Sequence, residues 1–145
     1  MLSADTNLFI YAADTDSPNH DEAVRFFEDS ASNGKKFAIC ELVMVEIYLQ
    51  LRNPASLKRP YKSKEASDYC LSLITETGWC HLDYHPAVSR KFWKWAASTN
   101  SGIRQIIDAR LALTLRHHGV THFATANVTH FQGFGFTEVW NPLIP

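Results

Sequence analysis

The chain has 145 residues, the ordinary size of one folded domain, and we expect a single domain over residues 1–145. Hydrophobic residues make up 46% of the chain and charged residues 20%, proportions that exclude an intrinsically disordered protein. The formal net charge is -1, so any surface that binds nucleic acid must be a local one.

Cysteine use and hydropathy indicate the compartment. The three cysteines, Cys40, Cys70 and Cys80, lack a CxxC spacing, and an odd number is a poor basis for a disulfide framework. No apolar run approaches the roughly 18 to 20 residues of a membrane span, and the N-terminus lacks the basic region of a signal peptide. We therefore expect a cytoplasmic protein without membrane association.

Short strand patterns alternate with helical patterns along the chain, and turn residues separate them. Residues 52–64 form an exposed basic loop, and residues 99–102 form a turn-rich break. The predicted elements in chain order are a strand at 3–4, helices at 8–14 and 19–33, a strand at 36–40, helices at 41–51 and 65–77, a strand at 79–82, helices at 86–97 and 104–118, and strands at 121–124 and 136–139.

This alternation predicts an α/β/α sandwich whose central, mainly parallel sheet has about four to five short strands. In such a sheet the carboxyl ends of the strands meet at one edge, and ligands bind there. The first strand runs directly into Asp5, Thr6 and Asn7, which places polar oxygens at this edge. The same residue types cap helices, so this segment alone leaves chemistry and capping open.

Two further acids share an apolar helical stripe. Leu111 follows Asp108 by three residues, and Leu49 follows Glu46 by three residues, so each carboxylate lies on the same helical face as a leucine. An acid in that position carries a heavy desolvation cost unless it is paired or bound to a metal.

The structural alternative for these acids is an ion pair with an arginine such as Arg104 or Arg110, or a helix cap. Three acids that each follow a strand-to-helix junction, however, favour a shared cation, because carboxylates that converge at a sheet edge repel one another. Hard oxygen ligands of this kind prefer Mg²⁺ or Mn²⁺ to zinc. We therefore predict a metal site, and catalysis, at Asp5, Glu46 and Asp108.

Thr125 and Asn127 follow the fourth predicted strand and reach the same edge as Asp5. They are candidates to hold a water or a phosphate oxygen, as are Thr6 and Asn7. Threonine and asparagine are also common turn formers after strands, so the structural reading stays open.

Taken together, the chain resembles the PIN-domain ribonucleases, specifically the VapC-like toxins of type II toxin–antitoxin systems. The resemblance covers essentially the whole chain and rests on the order and spacing of its motifs. These motifs are residues 5–7, Glu46, residues 107–112 and residues 125–131.

The resemblance implies a metal-dependent endoribonuclease in which Asp5, Glu46 and Asp108 bind one or two Mg²⁺ or Mn²⁺ ions. It also implies RNA as the substrate, an antitoxin protein that blocks the site, and a homodimer. The chain departs from the family at Asn127 and His130, where members often carry acids. We therefore expect a single well-bound ion.

Two stretches offer cations beside aromatic rings that could stack on unpaired bases of RNA. They are the basic loop 52–64, which contains Tyr61, and residues 91–95, which contain Trp93 and Trp95. The alternative is that one tryptophan belongs to the core and the lysines are merely solvated.

Two other functions compete with the nuclease. The first is a catalytically weakened, RNA-binding PIN domain, because Asn127 and His130 carry no negative charge. The second is a receiver-like or nucleotide-binding α/β module that uses Asp5, although the sequence lacks a GxxxxGKS loop and a GxGxxG turn.

Overall fold

The computed structural model describes residues 1–100 and 102–145, and within them five strands form one sheet. The strands are β1 (Leu2–Ala4), β2 (Phe37–Cys40), β3 (Cys80–Leu82), β4 (His122–Ala124) and β5 (Glu138–Trp140). The helices are α1 (Thr6–Ala13), α2 (His20–Ser32), α3 (Glu41–Leu51), α4 (Ser63–Thr75), α5 (Pro86–Ser98), α6 (Gln105–His117) and α7 (Val128–Phe131).

The strand order is β3-β2-β1-β4-β5, and every neighbouring pair is parallel. β1 lies at the centre, where Ser3 pairs with Ala38 of β2 and with Phe123 of β4. The chain order reverses between β1 and β4, which makes a crevice at the carboxyl ends of these two strands. The predicted sandwich with a parallel central sheet is confirmed.

Two groups of helices cover the sheet. α1 contacts α2 and α3, while α5 contacts α6, which also contacts α7. The largest core cluster joins the central strands to both groups, since it contains residues of α1 and α3 as well as Leu111 of α6. Within the first group, the ring centroids of Phe9 of α1 and Phe27 of α2 are 4.7 Å apart. A smaller cluster of Val88, Phe92 and Ala109 joins α5 to α6. No helix of the described residues is long and apolar enough to span a membrane.

The observed elements differ from the predicted ones mainly at their ends. α1 begins at Thr6 rather than at residue 8, because the Asp5 carboxylate caps it. Residues predicted as a strand from 136 form one only from Glu138. The short helix α7 was not predicted. The predicted break at 99–102 includes Ser101, which lies outside the described residues.

Candidate active site

A cleft of about 650 Å³ opens at the carboxyl edge of the sheet, and all three predicted acids line it. Asp5 follows β1, Glu46 lies in the middle of α3, and Asp108 lies in the first turn of α6. Thr6, Asn7 and Asn127 line the same cleft. The fold therefore brings together carboxylates that are separated by as many as 103 residues of sequence.

Asp5 is the most buried of these acids, with 8% of its surface exposed. Its Oδ1 accepts a hydrogen bond from the Thr6 amide at 2.8 Å, and its Oδ2 accepts from Thr125 Oγ1 at 2.7 Å and from Asn7 Nδ2 at 3.0 Å. Burial raises the pKa of Asp5 to about 6, the hydrogen bonds oppose that rise, and the charges of Asp108 and Glu46 add to it.

Glu46 is half-buried and connects α3 to α1. Its Oε2 accepts a hydrogen bond from Thr6 Oγ1 at 2.8 Å. Burial raises the pKa of Glu46, the Thr6 hydrogen bond opposes that rise, and the charge of Asp108 adds to it. Leu49 was expected on the same apolar stripe as Glu46, but it is 60% exposed. The prediction that Glu46 shares a buried helical face with Leu49 is therefore wrong.

Asp108 has a histidine as its partner. His130 Nδ1, from α7, lies 2.9 Å from Asp108 Oδ2, and 28% of the Asp108 side chain is exposed. The arginine pairing considered from the sequence does not occur among the described ion pairs, and Arg110 instead lies over the Tyr84 ring at 4.4 Å. His130 therefore connects α7 to the acidic cleft.

The loop after β4 completes the hydrogen-bond network around Asp5. Thr125 is fully buried, and its Oγ1 accepts from the Asn127 amide at 3.0 Å while it donates to Asp5. Asn7 Oδ1 accepts from the Ala126 amide at 3.3 Å. Thr125 and Asn7 thus join the β1 and β4 ends of the crevice, whereas Asn127 is exposed at its rim.

Several residues that line the cleft were not predicted as site residues. Arg104 was predicted only as a possible ion-pair partner. The sequence around Tyr11, Gln50 and Ser56 has no motif that marks them as site residues; they lie only a helical turn or a loop away from predicted ones. Gln50 and Ser56 are joined by a hydrogen bond between their side chains. The additional residues that line the cleft are Ile10, Tyr11, Gln50, Ser56, Arg104, Ile107 and His130.

The donor chemistry of the cleft fits a hard divalent cation. Three carboxylates face one space, and each of Asp5 and Glu46 has its pKa raised partly by a neighbouring negative charge. A cation among them would relieve that repulsion. The described residues contain no cluster of three or more His, Cys, Asp or Glu side chains already close enough to hold an ion. Thr6 and His130 instead hydrogen-bond with Glu46 and Asp108.

Comparison with protein families identifies the fold and its relatives. A model of the PIN domain matches residues 4–132, which include all three acids and the loop after β4. The chain belongs to the PIN-domain family. It is 44% identical over 143 residues to Ribonuclease VapC24 of Mycobacterium tuberculosis, a match that covers 99% of this chain and 97% of that protein. The resemblance inferred from the sequence is confirmed.

Solved PIN-domain structures share the fold at low sequence identity. VapC20 of Mycobacterium tuberculosis, described as a Sarcin-Ricin loop cleaving toxin, superposes with a TM-score of 0.65 at 15% identity over 85% of this chain and 87% of its own. VapBC2 of Rickettsia felis, bound to a DNA fragment from its promoter, gives a TM-score of 0.67 at 14% identity, covering 97% of each chain. At such identities these structures support the fold alone.

Proposed function

We propose that this PIN-domain protein is a metal-dependent endoribonuclease that hydrolyses phosphodiester bonds of RNA, and that it is the toxin of a toxin–antitoxin pair. The observation that carries the proposal is the convergence of Asp5, Glu46 and Asp108 on one cleft at the carboxyl edge of the sheet. The full-length similarity to a protein named as a ribonuclease supports the choice of RNA.

Asp5, Glu46 and Asp108 would hold Mg²⁺ or Mn²⁺, the hard cations that carboxylate oxygens favour. When bound, such an ion polarises a phosphate oxygen and makes a nearby water more acidic. Asp108 is the candidate to orient or deprotonate the attacking water, because it is the more exposed partner of the buried Asp5. Thr6 and Thr125 hold the carboxylates of Glu46 and Asp5 through hydrogen bonds.

A single ion is the expected occupancy. Asn127 and His130 line the cleft where a further acid would add charge for a second ion, and Asn127 supplies only a neutral amide. His130 lies against one oxygen of Asp108 and leaves the second oxygen for a cation or a water. Asn7 and Asn127 are the candidates for contact with a phosphate oxygen at the rim.

The partners of the proposed toxin are an antitoxin protein and a second copy of the chain, in the cytoplasm. VapC20 of Mycobacterium tuberculosis, which shares the fold, is described as a toxin. Exposed apolar side chains on neighbouring helices support protein partners, since scattered singles are normal but grouped ones mark contact surfaces. These side chains are Val45 and Leu49 of α3 and Leu71 and Ile74 of α4.

The two stretches predicted to contact RNA differ in how many of their side chains are already engaged within the protein. In the basic loop, Arg59 Nε pairs with Asp16 Oδ2 at 3.1 Å, and the Tyr61 hydroxyl donates to the Ala13 carbonyl. In α5, Trp93 is 64% exposed, whereas Trp95 contacts Phe134 with ring centroids 5.7 Å apart. Trp93 is therefore the better candidate to stack on a base.

A catalytically weakened, RNA-binding PIN domain is the second candidate. The observations in its favour are the neutral Asn127 and the contact that His130 makes with Asp108. The receiver-like module is excluded, because the family match covers the chain from residue 4 to residue 132.

An RNA-cleavage assay with Mg²⁺, Mn²⁺ or EDTA separates these two functions. Asp5→Asn and Asp108→Asn should each lower cleavage by about 100-fold or more while the variants stay folded, because each change removes a charged metal ligand. The matched control is Asp83→Asn, which neutralises an exposed acid outside the cleft and should leave the rate unchanged. Cleavage that survives in EDTA, or in both cleft variants, would refute the nuclease proposal.

A further inference from the structure

Charge is distributed unevenly between the two halves of the sequence. Residues 84–145 contain six lysines and arginines and only two acids, Asp108 and Glu138. Five of the seven histidines also fall in this part. The excess of acids therefore lies in residues 1–83. We call residues 84–145 the basic half of the chain; it contains α5 and α6, although Asp108 of α6 lies in the acidic cleft.

One pocket between α5 and α6 concentrates this positive charge. It has a volume of about 270 Å³, and Lys91 of α5 and Arg116 and His117 of α6 line it. Val88 and Phe134 supply apolar walls. We call this site the basic pocket. None of its lining residues, within the part of the chain that the structure describes, is acidic.

Further imidazoles crowd the basic pocket. The His85 ring stacks on His117 with centroids 4.4 Å apart, and the His118 ring lies 5.2 Å from His117. Partial desolvation and the like charges of His85, His118 and Lys91 lower the pKa of His117. The charges that favour an anionic ligand are those of Lys91 and Arg116, which have no acidic neighbour among the described residues that line the pocket.

Arg116 is held in place at this site. Its Nη1 donates a hydrogen bond to the Val120 carbonyl, and its guanidinium lies over the Phe136 ring, 5.7 Å from the centroid. A fixed guanidinium loses less conformational entropy on binding an anion than a free side chain does. Lys91 and His117 are exposed beside it and can adjust to the ligand.

Among the residues that the structure describes, the basic pocket and the acidic cleft share helix α6 but no lining residue. Asp108 in the first turn of α6 lines the cleft, and His117 at its last residue lines the pocket. These two residues are nine positions apart, which corresponds to about 13 Å along a helix axis. The segment from α7 to residue 135 provides a second connection, because His130 of α7 lines the cleft while Phe134 and Gly135, which follow α7, line the pocket.

We propose that the basic pocket binds a backbone phosphate of the RNA whose scissile bond lies in the acidic cleft. This inference rests on the proposed ribonuclease function and adds a substrate contact to it. A polyanionic chain is the ligand that suits the geometry, since it presents phosphates to both sites at once. Phosphate contacts fix the register of a nucleic acid, so the pocket would determine which bond reaches the acids.

The test compares RNA affinity in two pairs of charge variants. The double variant Lys91→Gln/His117→Gln alters exposed side chains of the pocket and leaves Arg116 and its structural hydrogen bond intact. The matched control, Lys35→Gln/Lys36→Gln, removes two exposed lysines before β2. Binding of a labelled single-stranded RNA of mixed sequence is measured by fluorescence anisotropy at several salt concentrations, in the uncleaving Asp5→Asn background.

The pocket variant should bind the RNA about 5- to 10-fold more weakly, with a log–log salt slope smaller by about one, and the control should match its parent. With Asp5 restored, the pocket variant should show a raised KM and an unchanged kcat. Unchanged RNA affinity, or an equal loss of affinity in the control, would overturn the inference. If the pocket variant keeps its RNA affinity but binds an acidic peptide more weakly than its parent does, the inference is also wrong, and the pocket belongs to a protein partner.

The two proposals fail separately. If the wild-type chain does not cleave RNA in Mg²⁺ or Mn²⁺ but the pocket variant alone loses RNA affinity, the nuclease function is wrong and the phosphate contact stands. If the wild-type chain cleaves RNA and the pocket variant has the same affinity and KM, the nuclease function stands and the phosphate contact is wrong.

Discussion

The two carboxylate oxygens of Asp5 have different hydrogen-bond partners. Its Oδ1 caps α1, and its Oδ2 accepts from Thr125 and Asn7 inside the crevice. Capping and chemistry were competing interpretations of this segment; the structure shows the cap, and it is compatible with the proposed metal role, because the capping bond occupies only Oδ1. The cap explains why α1 begins at Thr6, and the burial that accompanies it makes the charged form of Asp5 costly.

This cost predicts a pH dependence of stability in the metal-free protein. The pKa of Asp5 rises from its ordinary value of 3.8 to about 6 in the folded state, so the folded chain holds this proton more tightly than the unfolded chain. The free energy of unfolding should therefore fall as the pH rises through this interval, by roughly 3 kcal/mol in total, and the full loss is present above it.

Urea denaturation in EDTA at pH 4 to 7 checks this prediction, with Asp5→Asn as the reference because its side chain does not titrate. Between pH 4 and 6 the free energy of unfolding of the wild type should fall relative to that of the variant. Above pH 6, Mg²⁺ in place of EDTA should restore part of the lost free energy. Parallel stability curves for the two proteins would show that Asp5 does not titrate in this range.

Contacts between elements position the second acid. Thr6 is buried at the start of α1, and its hydroxyl donates to Glu46 Oε2 of α3. This hydrogen bond opposes the rise in the pKa of Glu46 that burial causes. The α1–α3 contact therefore orients the carboxylate and favours its charged form.

Thr6→Val should lower the free energy of unfolding by about 1–2 kcal/mol, because Glu46 loses a hydrogen bond in a half-buried position. Thr6→Ser keeps the hydroxyl and should lose only about 0.8 kcal/mol for the missing methyl group. Metal-dependent RNA cleavage should fall in the valine variant and persist in the serine variant. If the two variants cleave RNA equally well, Thr6 does not position Glu46.

The sequence predicted most elements and the three acids, because periodicity and strand-to-helix junctions are local signals. Helix α3, for example, has the bounds predicted for it. Tertiary contacts decided the rest. Leu49 is exposed although it shares a helical face with Glu46, and the four residues of α7 are too few for a periodic signal. His130 could not be placed against Asp108, since 22 residues and a strand separate them.

At the scale of the whole molecule, the acidic cleft lies in a protein whose two halves differ in charge. Without a metal the cleft carries more negative than positive side chains, because Asp5, Glu46 and Asp108 outnumber Arg104 in its lining. Cations outside the cleft would add attraction for a polyanion, and α5 and α6 carry most of those in the basic half of the chain. Such attraction acts over a Debye length of roughly 10 Å at 0.1 M salt and weakens as salt is added.

The rate constant kcat/KM for RNA should therefore fall linearly with salt on a log–log plot, with a slope of about -2 or steeper if two or more phosphates are contacted. A small phosphodiester with one negative charge, such as bis(p-nitrophenyl) phosphate, is too short to reach both the acids and the basic pocket. Its hydrolysis should show little salt dependence at constant Mg²⁺ concentration. Equal salt slopes for the two substrates would mean that salt acts on the metal or the fold, and that α5 and α6 do not attract the RNA.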